Sequence, residues 1–490
     1  MPDEDLKRVT VTSLFWKVFE KGGRAVVELL VQIMMARLLA PEDFGLMAVV
    51  LVFVNLANVV VQSGLSTSLV QAREVAEADL STVFWASLGV SLALWAVLFL
   101  AAPAVGAAYG SASVAGPLRA LGALLVLNAF NSVQLAVVSR QMAFRKTFVA
   151  TLASVLCSGA LGVGLALAGA GLWALVGQQL CYQLVNSLAL ALQVRWRPRA
   201  LFSWGLARRH YRFGWKLLAS GLLDQGYQGL SDLVVGARFS TGELGYVSQG
   251  KRYPAALGSM LDGAIQPVML SAVARSQDDP GAVRRLVRRA LKTSTFLVFP
   301  AMALFALEAE PLVLLLLGER WLPAVPFLQM YCLAYALLPV HATNLQALNG
   351  VGRSDLFLRL EVAKKILGVA VLCVTAFAIG SAYAVVAGYM LTGVLSTFIN
   401  AWPSRRVLGY GYAEQARDVA PALLLSLASA AIAWPLSLLG LAPVAQVLLQ
   451  ALAMIASYLL LARLFRVEEL SYLTSTARQM LASRKGARPR

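Results

Sequence analysis

Charge is scarce in this sequence. Only 14% of its 490 residues are Asp, Glu, Lys or Arg, where a soluble globular protein carries about 25%. An ordinary soluble domain is excluded. Histidine is scarcer still: His210 and His341 are the only two, and no Cys/His cluster has zinc-site spacing. Cys157, Cys181, Cys332 and Cys373 all fall in apolar segments, so they read as buried thiols rather than as a disulfide framework. No glycine-rich phosphate loop ending in Lys-Ser or Lys-Thr occurs, so ATP hydrolysis by this chain is not expected, and neither a cofactor nor a metal is implied. The opening MPDEDLKRVTVTS is acidic and runs into a charged apolar segment. That is unlike the basic start and short apolar core of a signal peptide, and the first helix is expected to stay.

What is abundant is apolar length. The chain is 59% hydrophobic, with a mean hydropathy of +0.70. Segments of spanning length lie near 13–40, 44–66, 80–102, 117–139, 148–168, 172–194, 212–238, 251–273, 293–317, 323–349, 356–379, 382–402, 418–438 and 443–465. The expected fold class is an all-α polytopic membrane protein with about 14 transmembrane helices. An even number puts both termini on one side.

The first of these segments stands out. A helix from Val11 to Ala40 would be roughly 45 Å long, enough to cross a bilayer. Yet Lys17, Lys21, Arg24 and Glu28 recur at i, i+4, i+7 and i+11, a single stripe on a helix, with Glu20 beside it. At about 3 kcal/mol per midplane charge, these groups would cost on the order of 15 kcal/mol against lipid, and the apolar residues return only about 6 to 7. The stripe is therefore expected to face a wet interior cavity. Pairing of Lys with Glu one turn apart is compatible with that reading. A cytosolic amphipathic helix is the other reading, and the apolar segments that follow argue against it.

The net charge of +17 comes from 42 Lys and Arg against 25 Asp and Glu. In a soluble chain it would suggest nucleic acid, but here its distribution follows the positive-inside rule. Arg195, Arg197, Arg199, Arg208, Arg209 and Arg212 share one connection, and Arg275, Arg284, Arg285, Arg288, Arg289 and Lys292 another. Arg140, Arg145, Lys146, Arg353, Arg359, Arg405, Arg406 and the basic tail SRKGARPR lie on the same side. The opposite connections 103–116, 169–171, 380–381 and 439–442 contain no Lys or Arg. Both termini are expected in the cytoplasm.

An internal repeat runs at an offset near 200 residues. Trp16-Lys17 recurs as Trp215-Lys216, and Ala36-Arg37 with Glu42 and Gly45 as Ala237-Arg238 with Glu243 and Gly245. Gln62 and Ala72-Arg73 recur as Gln266 and Ala274-Arg275. Six helices between copies preserve orientation, so a parallel duplication is expected. The domains read as a six-helix lobe at 1–194, a basic amphipathic linker at 195–211, a second six-helix lobe at 212–402, and two further helices with a basic tail at 403–490.

The second copy is polar too. Lys216, Ser220, Asp224, Gln228 and Asp232 repeat every four residues down the seventh segment, and the eighth adds Asp262 and Gln266. Asn55, Asn58, Gln62, Asn128, Asn131, Gln134, Gln179, Gln183 and Asn186 place amides in neighbouring segments, where interhelical hydrogen bonding is their expected role. Lys17, Lys21, Arg24 and Lys216 would attract a diphosphate or acidic sugar, and amides such as Asn55 and Gln62 suit sugar hydroxyls. Glu28, Asp224, Asp232 and Asp262 are candidate proton or sodium sites. Gly159, Gly162 and Gly164 allow close helix packing.

The run ARLLAPEDFGLMAVVLVFVNLANVVVQSGLSTSLVQ resembles the start of polysaccharide flippases of the Wzx type, in the branch associated with colanic-acid-like exopolysaccharides. These belong to the multidrug/oligosaccharidyl-lipid/polysaccharide exporter superfamily. The resemblance implies a V-shaped pair of lobes around a central cavity. It also implies flipping of undecaprenyl-diphosphate-linked oligosaccharide across the bacterial cytoplasmic (inner) membrane, with cationic residues of the first and seventh helices, here Arg24 and Lys216, on the substrate. A polysaccharide polymerase and a chain-length regulator would be its partners. Two rivals remain. A multidrug or small-cation antiporter of the same superfamily would want a more acidic cavity. A membrane glycosyltransferase would want acidic residues on a large outer loop, and the pair Glu42-Asp43 sits on a short one where it serves equally as a helix start.

Overall fold

The computed structural model describes residues 27–62, 68–70, 72, 75–141, 143–194, 196–276 and 279–475, leaving undescribed the side chains at 144, 213, 216–217, 261–268, 270–271 and 354. Helices account for the regular structure, with no strand among the described residues. The chain divides into two compact units, Met1–Gly245 and Tyr246–Arg490. The first holds α1 (27–38), α2 (Pro41–Gln62), α3 (Glu77–Ala108), α4 (Ala112–Arg140), α5 (Phe144–Leu167), α6 (Leu172–Gln193) and α7 (Trp204–Arg238). Next comes α8 (Thr241–Arg275), whose first turn closes the first unit. The second unit continues with α9 (Pro280–Leu307), α10 (Glu319–Gly350), α11 (Ser354–Cys373), α12 (Ala382–Leu408), α13 (Tyr412–Ala433) and α14 (Pro443–Leu464).

Among the described residues, 10 helices are long and apolar enough to cross a membrane: α2 to α5 and α9 to α14. The protein is a multi-pass membrane protein. The other segments that the sequence reading numbers as spans correspond to α1, α6, α7 and α8. Of these, α6, α7 and α8 carry amides and charges, which lower their hydropathy without shortening them, while α1 is described only over 27–38. At about 1.5 Å per residue the 22 residues of α6 still measure roughly 33 Å. The seventh helix also starts earlier than its apolar stretch, at Trp204, so the basic residues 204–212 form its opening turns.

Local chemistry sets the helix ends. Asp279 caps α9 by accepting from the Ala282 amide at 3.0 Å, and Pro280 occupies the first helical position. Gly409, at φ 62°, ends α12 in the left-handed conformation that glycine adopts without strain. A break at Leu337 divides α10 two residues before Pro339, where proline disfavours a continuous helix.

In the first unit, small residues bring backbones together. A Cβ added at Gly45 would lie 1.7 Å from the Thr241 carbonyl oxygen, and one at Gly245 would lie 2.0 Å from the Pro41 carbonyl oxygen. The starts of α2 and α8 thus cross with each glycine seated on the other's backbone. Gly159 of α5 packs on Val31 of α1, where a Cβ would come within 2.5 Å, and Gly162 packs on Gln178 at 3.0 Å. Gly164 has nothing within 4 Å, so only two of the three glycines expected at helix contacts serve there. At the unit's basic end, Leu69, Val83, Phe84, Val133, Val194 and Trp196 form a buried cluster. The segment entering α7 is strapped across α3: the Trp85 indole donates to the Arg199 carbonyl at 2.7 Å, and the Ser203 amide donates to Thr82 Oγ1 at 3.2 Å.

In the second unit, α9 carries the last two helices. Phe296, Phe299, Ala422, Leu425, Tyr458 and Ala462 interlock, and the Tyr458 hydroxyl donates to the Phe296 carbonyl at 2.8 Å. The basic stripe of α9 meets the acidic start of α13. Arg284 donates to both oxygens of Glu414 at 2.6 and 2.8 Å, and Arg288 to both oxygens of Asp418 at 2.5 and 2.9 Å. The Asp418 side chain is only 2% exposed and also accepts from the Tyr410 hydroxyl at 2.8 Å. Part of the positive charge that the sequence assigns to this connection is therefore neutralised within the fold.

The cysteines depart from the sequence reading in one respect. All four are free, but only Cys332 is buried, whereas Cys157 and Cys373 are exposed. An apolar segment that crosses a membrane has an outward face, and a thiol on it meets lipid rather than protein.

Candidate functional site

Several polar candidates of the first unit lie on α2 and α7, which pack against each other. A Cβ at Gly229 would lie 2.5 Å from Val52 Cγ1, one at Gly226 3.9 Å from Leu56 Cδ2, and one at Gly236 3.1 Å from Val49 Cγ2. Residue numbers rise along α2 as they fall along α7, so the helices run antiparallel at close approach. That register puts Asn55, next to Leu56, at the level of Asp224 and Gln228. Asn55 and Asp224 are exposed, and Gln228 Nε2 donates to Asp224 Oδ2 at 2.8 Å. Asp232 is half-buried two turns further along α7, and Gln62 is half-buried at the far end of α2. Asn55 on α2 and the Asp224–Gln228 pair on α7 are thus accessible polar groups at one level of two packed helices, of a donor and acceptor chemistry suited to hydroxyl-rich ligands.

The remaining candidates are placed less fully. Lys216 lies on α7 and Asp262 on α8, with neither side chain described. Glu28 is half-buried on α1. Lys17, Lys21 and Arg24 lie outside the described residues.

Elsewhere in the fold, amides tie helices together as expected of them. Asn128 Nδ2 on α4 donates to Asn58 Oδ1 on α2 at 2.9 Å, and Gln183 Nε2 on α6 donates to Asn128 Oδ1. In the second unit Asn344 Nδ2 donates to Gln415 Oε1 at 3.0 Å, and the Ser404 hydroxyl donates to Asn344 Oδ1 at 2.7 Å. Asn131 and Gln134 are also buried on α4, and their side-chain atoms have no hydrogen-bond partner among the described residues.

Two polar groupings escape sequence reading. His210 is buried between Ser68 Oγ, 2.7 Å from Nδ1, and Asp79 Oδ1, 3.1 Å from Nε2. Ser68 is itself buried, so no substrate reaches it, and the trio acts as a cross-link between α7, α3 and the connection before α3. Glu308, just past α9, is 2% exposed, and neither carboxylate oxygen has a partner among the described residues. Among the described residues, no group of three or more His, Cys, Asp or Glu could hold a metal ion.

Residues 34–326 match the model of a family described as "Polysaccharide biosynthesis protein". The chain belongs to that family. The matched stretch includes Asn55, Gln62, Lys216, Asp224, Asp232 and Asp262, while Lys17, Lys21, Arg24 and Glu28 precede it. Among relatives within the polysaccharide biosynthesis theme, the chain is 28% identical over 355 residues to the succinoglycan biosynthesis transport protein ExoT of Rhizobium meliloti (strain 1021), covering 72% of this chain and 71% of that one. It is 23% identical over 440 residues to the lipopolysaccharide biosynthesis protein WzxC of Escherichia coli (strain K12), covering 88% of each. The fold is that of the lipid II flippase MurJ in its inward closed conformation, with a TM-score of 0.76 at 12% identity over 92% of this chain and 99% of that one. An inward-facing multidrug resistance transporter of the MATE family is similar at a TM-score of 0.62 and 14% identity, over 78% of this chain and 94% of that one.

Proposed function

We propose that this member of the polysaccharide biosynthesis family is a flippase. It moves undecaprenyl-diphosphate-linked oligosaccharide from the inner to the outer leaflet of the bacterial cytoplasmic membrane by alternating access. The observation that carries the reading is the exposed polar surface of Asn55 on α2 and of the hydrogen-bonded Asp224 and Gln228 on α7, in a fold of otherwise apolar helices. A polar face of this kind is costly against lipid and is kept where it meets a polar ligand or water. The family and fold supply the context: relatives named for transport of succinoglycan and for lipopolysaccharide biosynthesis, and a flippase fold.

In this proposal the duplicated lobes are 1–194 and 212–402, joined by 195–211 and followed by the two helices of 403–490, with both termini cytoplasmic. Lys17, Lys21, Arg24 and Lys216 hold the diphosphate, and Asn55 and Gln62 the sugar hydroxyls. Glu28, Asp224, Asp232 and Asp262 carry a proton or sodium ion. A polymerase and a chain-length regulator act on the product. Arginine suits the anion because its planar fork binds two phosphate oxygens at once.

The test is made in cells whose polysaccharide depends on this protein. Loss of the protein leaves the lipid-linked oligosaccharide accumulated on the cytoplasmic side, and Arg24→Ala reproduces most of that accumulation. Arg24→Glu combined with Glu28→Arg keeps an ion pair within the helix but moves the cation about one turn, roughly 6 Å. A stably inserted but inactive double variant supports binding by Arg24. Normal export from that variant removes Arg24 from the substrate site, and normal export without the protein removes the function.

A further inference from the structure

In the second unit, a cavity of about 450 Å³ opens at the basic ends of α9, α11 and α12, and its lining includes Pro280, Val283, Arg353, Leu356, Trp402 and Arg406. Its size falls within the range of roughly 300–1,000 Å³ that small ligands fill. Its polar wall is cationic. Arg353 is engaged by Asp355 through two hydrogen bonds of 3.0 and 3.2 Å. Arg406 is not: its guanidinium lies over the Trp402 ring, 5.1 Å from the centroid, and no carboxylate pairs with it among the described residues. The cavity therefore presents one cation already balanced and one open to an anion.

The surface leading to the cavity has a second feature. Leu391, Leu395, Phe398 and Trp402 are all exposed on α12 and recur at i, i+4, i+7 and i+11. They form one apolar column along the helix, and Arg406 continues it one turn past Trp402. An apolar column ending in an indole and then in an uncompensated cation has the profile of a phospholipid: acyl chain, interface, phosphate. Basic pockets between membrane helices recognise anionic headgroups through this chemistry, and tryptophan settles at the headgroup level.

We propose that this cavity binds an anionic phospholipid of the surrounding bilayer, with its phosphate on Arg406 and an acyl chain along the Leu391–Trp402 column. The cavity lining includes none of the residues proposed for flipping, and the inference does not depend on that reading. A zwitterionic lipid fits less well, since its own ammonium group offsets the phosphate charge that Arg406 would bind, and Arg353 is already balanced by Asp355. Soluble phosphate would use the cation but leave the column unused.

The experiment takes the full-length protein in detergent and measures retained lipid by native mass spectrometry against added phosphatidylglycerol, phosphatidylethanolamine, undecaprenyl diphosphate and inorganic diphosphate. Phosphatidylglycerol should be retained preferentially, and Arg406→Ala should weaken that retention by about tenfold, the scale expected for one charge-assisted hydrogen bond. Arg406→Lys should lose less, and Arg417→Ala, exposed on α13 away from the cavity lining, should lose nothing. Brominated phosphatidylglycerol should quench a fluorescence component that Trp402→Phe removes. Unchanged retention in Arg406→Ala overturns the proposal. So does inorganic diphosphate binding as tightly as the lipid, because the column then contributes nothing. Loss of undecaprenyl diphosphate in place of phosphatidylglycerol also overturns it, by assigning the cavity to the transported lipid.

Discussion

Single residues show which charges the fold has compensated. Asp418 is buried but accepts from Arg288 and Tyr410, so its charge is compensated. Glu308 is equally buried, and neither of its carboxylate oxygens has a partner among the described residues. A buried carboxyl without partners is costly, so Glu308→Gln should leave the unfolding temperature of the purified protein unchanged or raise it, whereas Asp418→Ala should lower it by leaving Arg288 uncompensated. A marked fall in Glu308→Gln would contradict this. None of this was legible in the sequence. Glu308 falls there inside the apolar segment 293–317 with nothing to single it out, and Asp418 meets Arg288 across 130 residues of chain. The intrahelical stripe of Asp224 and Gln228 was legible, because a four-residue spacing on one helix needs no tertiary knowledge.

At the level of elements, backbone approach decides what can be substituted. Gly45 and Gly245 sit where the starts of α2 and α8 touch, and a methyl group at either would overlap a carbonyl oxygen of the other helix. Overpacking of this kind costs about 1–3 kcal/mol or more, because backbone cannot swing aside as a side chain can. Gly45→Ala and Gly245→Ala should therefore lower the yield of folded protein and its unfolding temperature. Gly89, on α3, has nothing within 4 Å, and Gly89→Ala should be neutral or stabilising by about 0.5–1 kcal/mol through helix propensity. Size-exclusion profiles of the three variants would separate the cases, and a well-behaved Gly45→Ala would contradict the packing described. The two critical glycines appear in the sequence as matching positions of the repeat, but their contact was not legible there, since it joins segments about 200 residues apart. Helix identity was legible for the same reason as in any membrane chain: long apolar runs are conspicuous. Helix starts were less so. Trp204–Arg212 is too basic to look like part of a span, yet it continues α7 because His210 is fixed from both sides by Ser68 and Asp79.

For the whole molecule, the loop charges predict an orientation that labelling can check. Cysteine placed at Ser111 or Gly440 should react with an impermeant reagent from outside intact cells, and cysteine at Ser203 or Asp279 should not. Outside access at Asp279 would reverse the assignment of both termini to the cytoplasm. Composition and span pattern carried the all-helical membrane fold, and the resemblance of the α1–α2 region carried the family. Substrate chemistry was harder to read, because Lys17, Lys21 and Arg24, three of the cations expected to hold the anion, lie outside the described residues. The most direct measurement is flipping itself, with the purified protein reconstituted in vesicles containing labelled undecaprenyl-diphosphate-linked oligosaccharide and the label's accessibility followed from outside. Protein-dependent transfer of the lipid-linked sugar, slowed severalfold or more by Arg24→Ala and unaffected by a cationic drug, is the result predicted. No transfer of the lipid-linked sugar, together with ion-driven export of the drug by the same vesicles, would contradict the account.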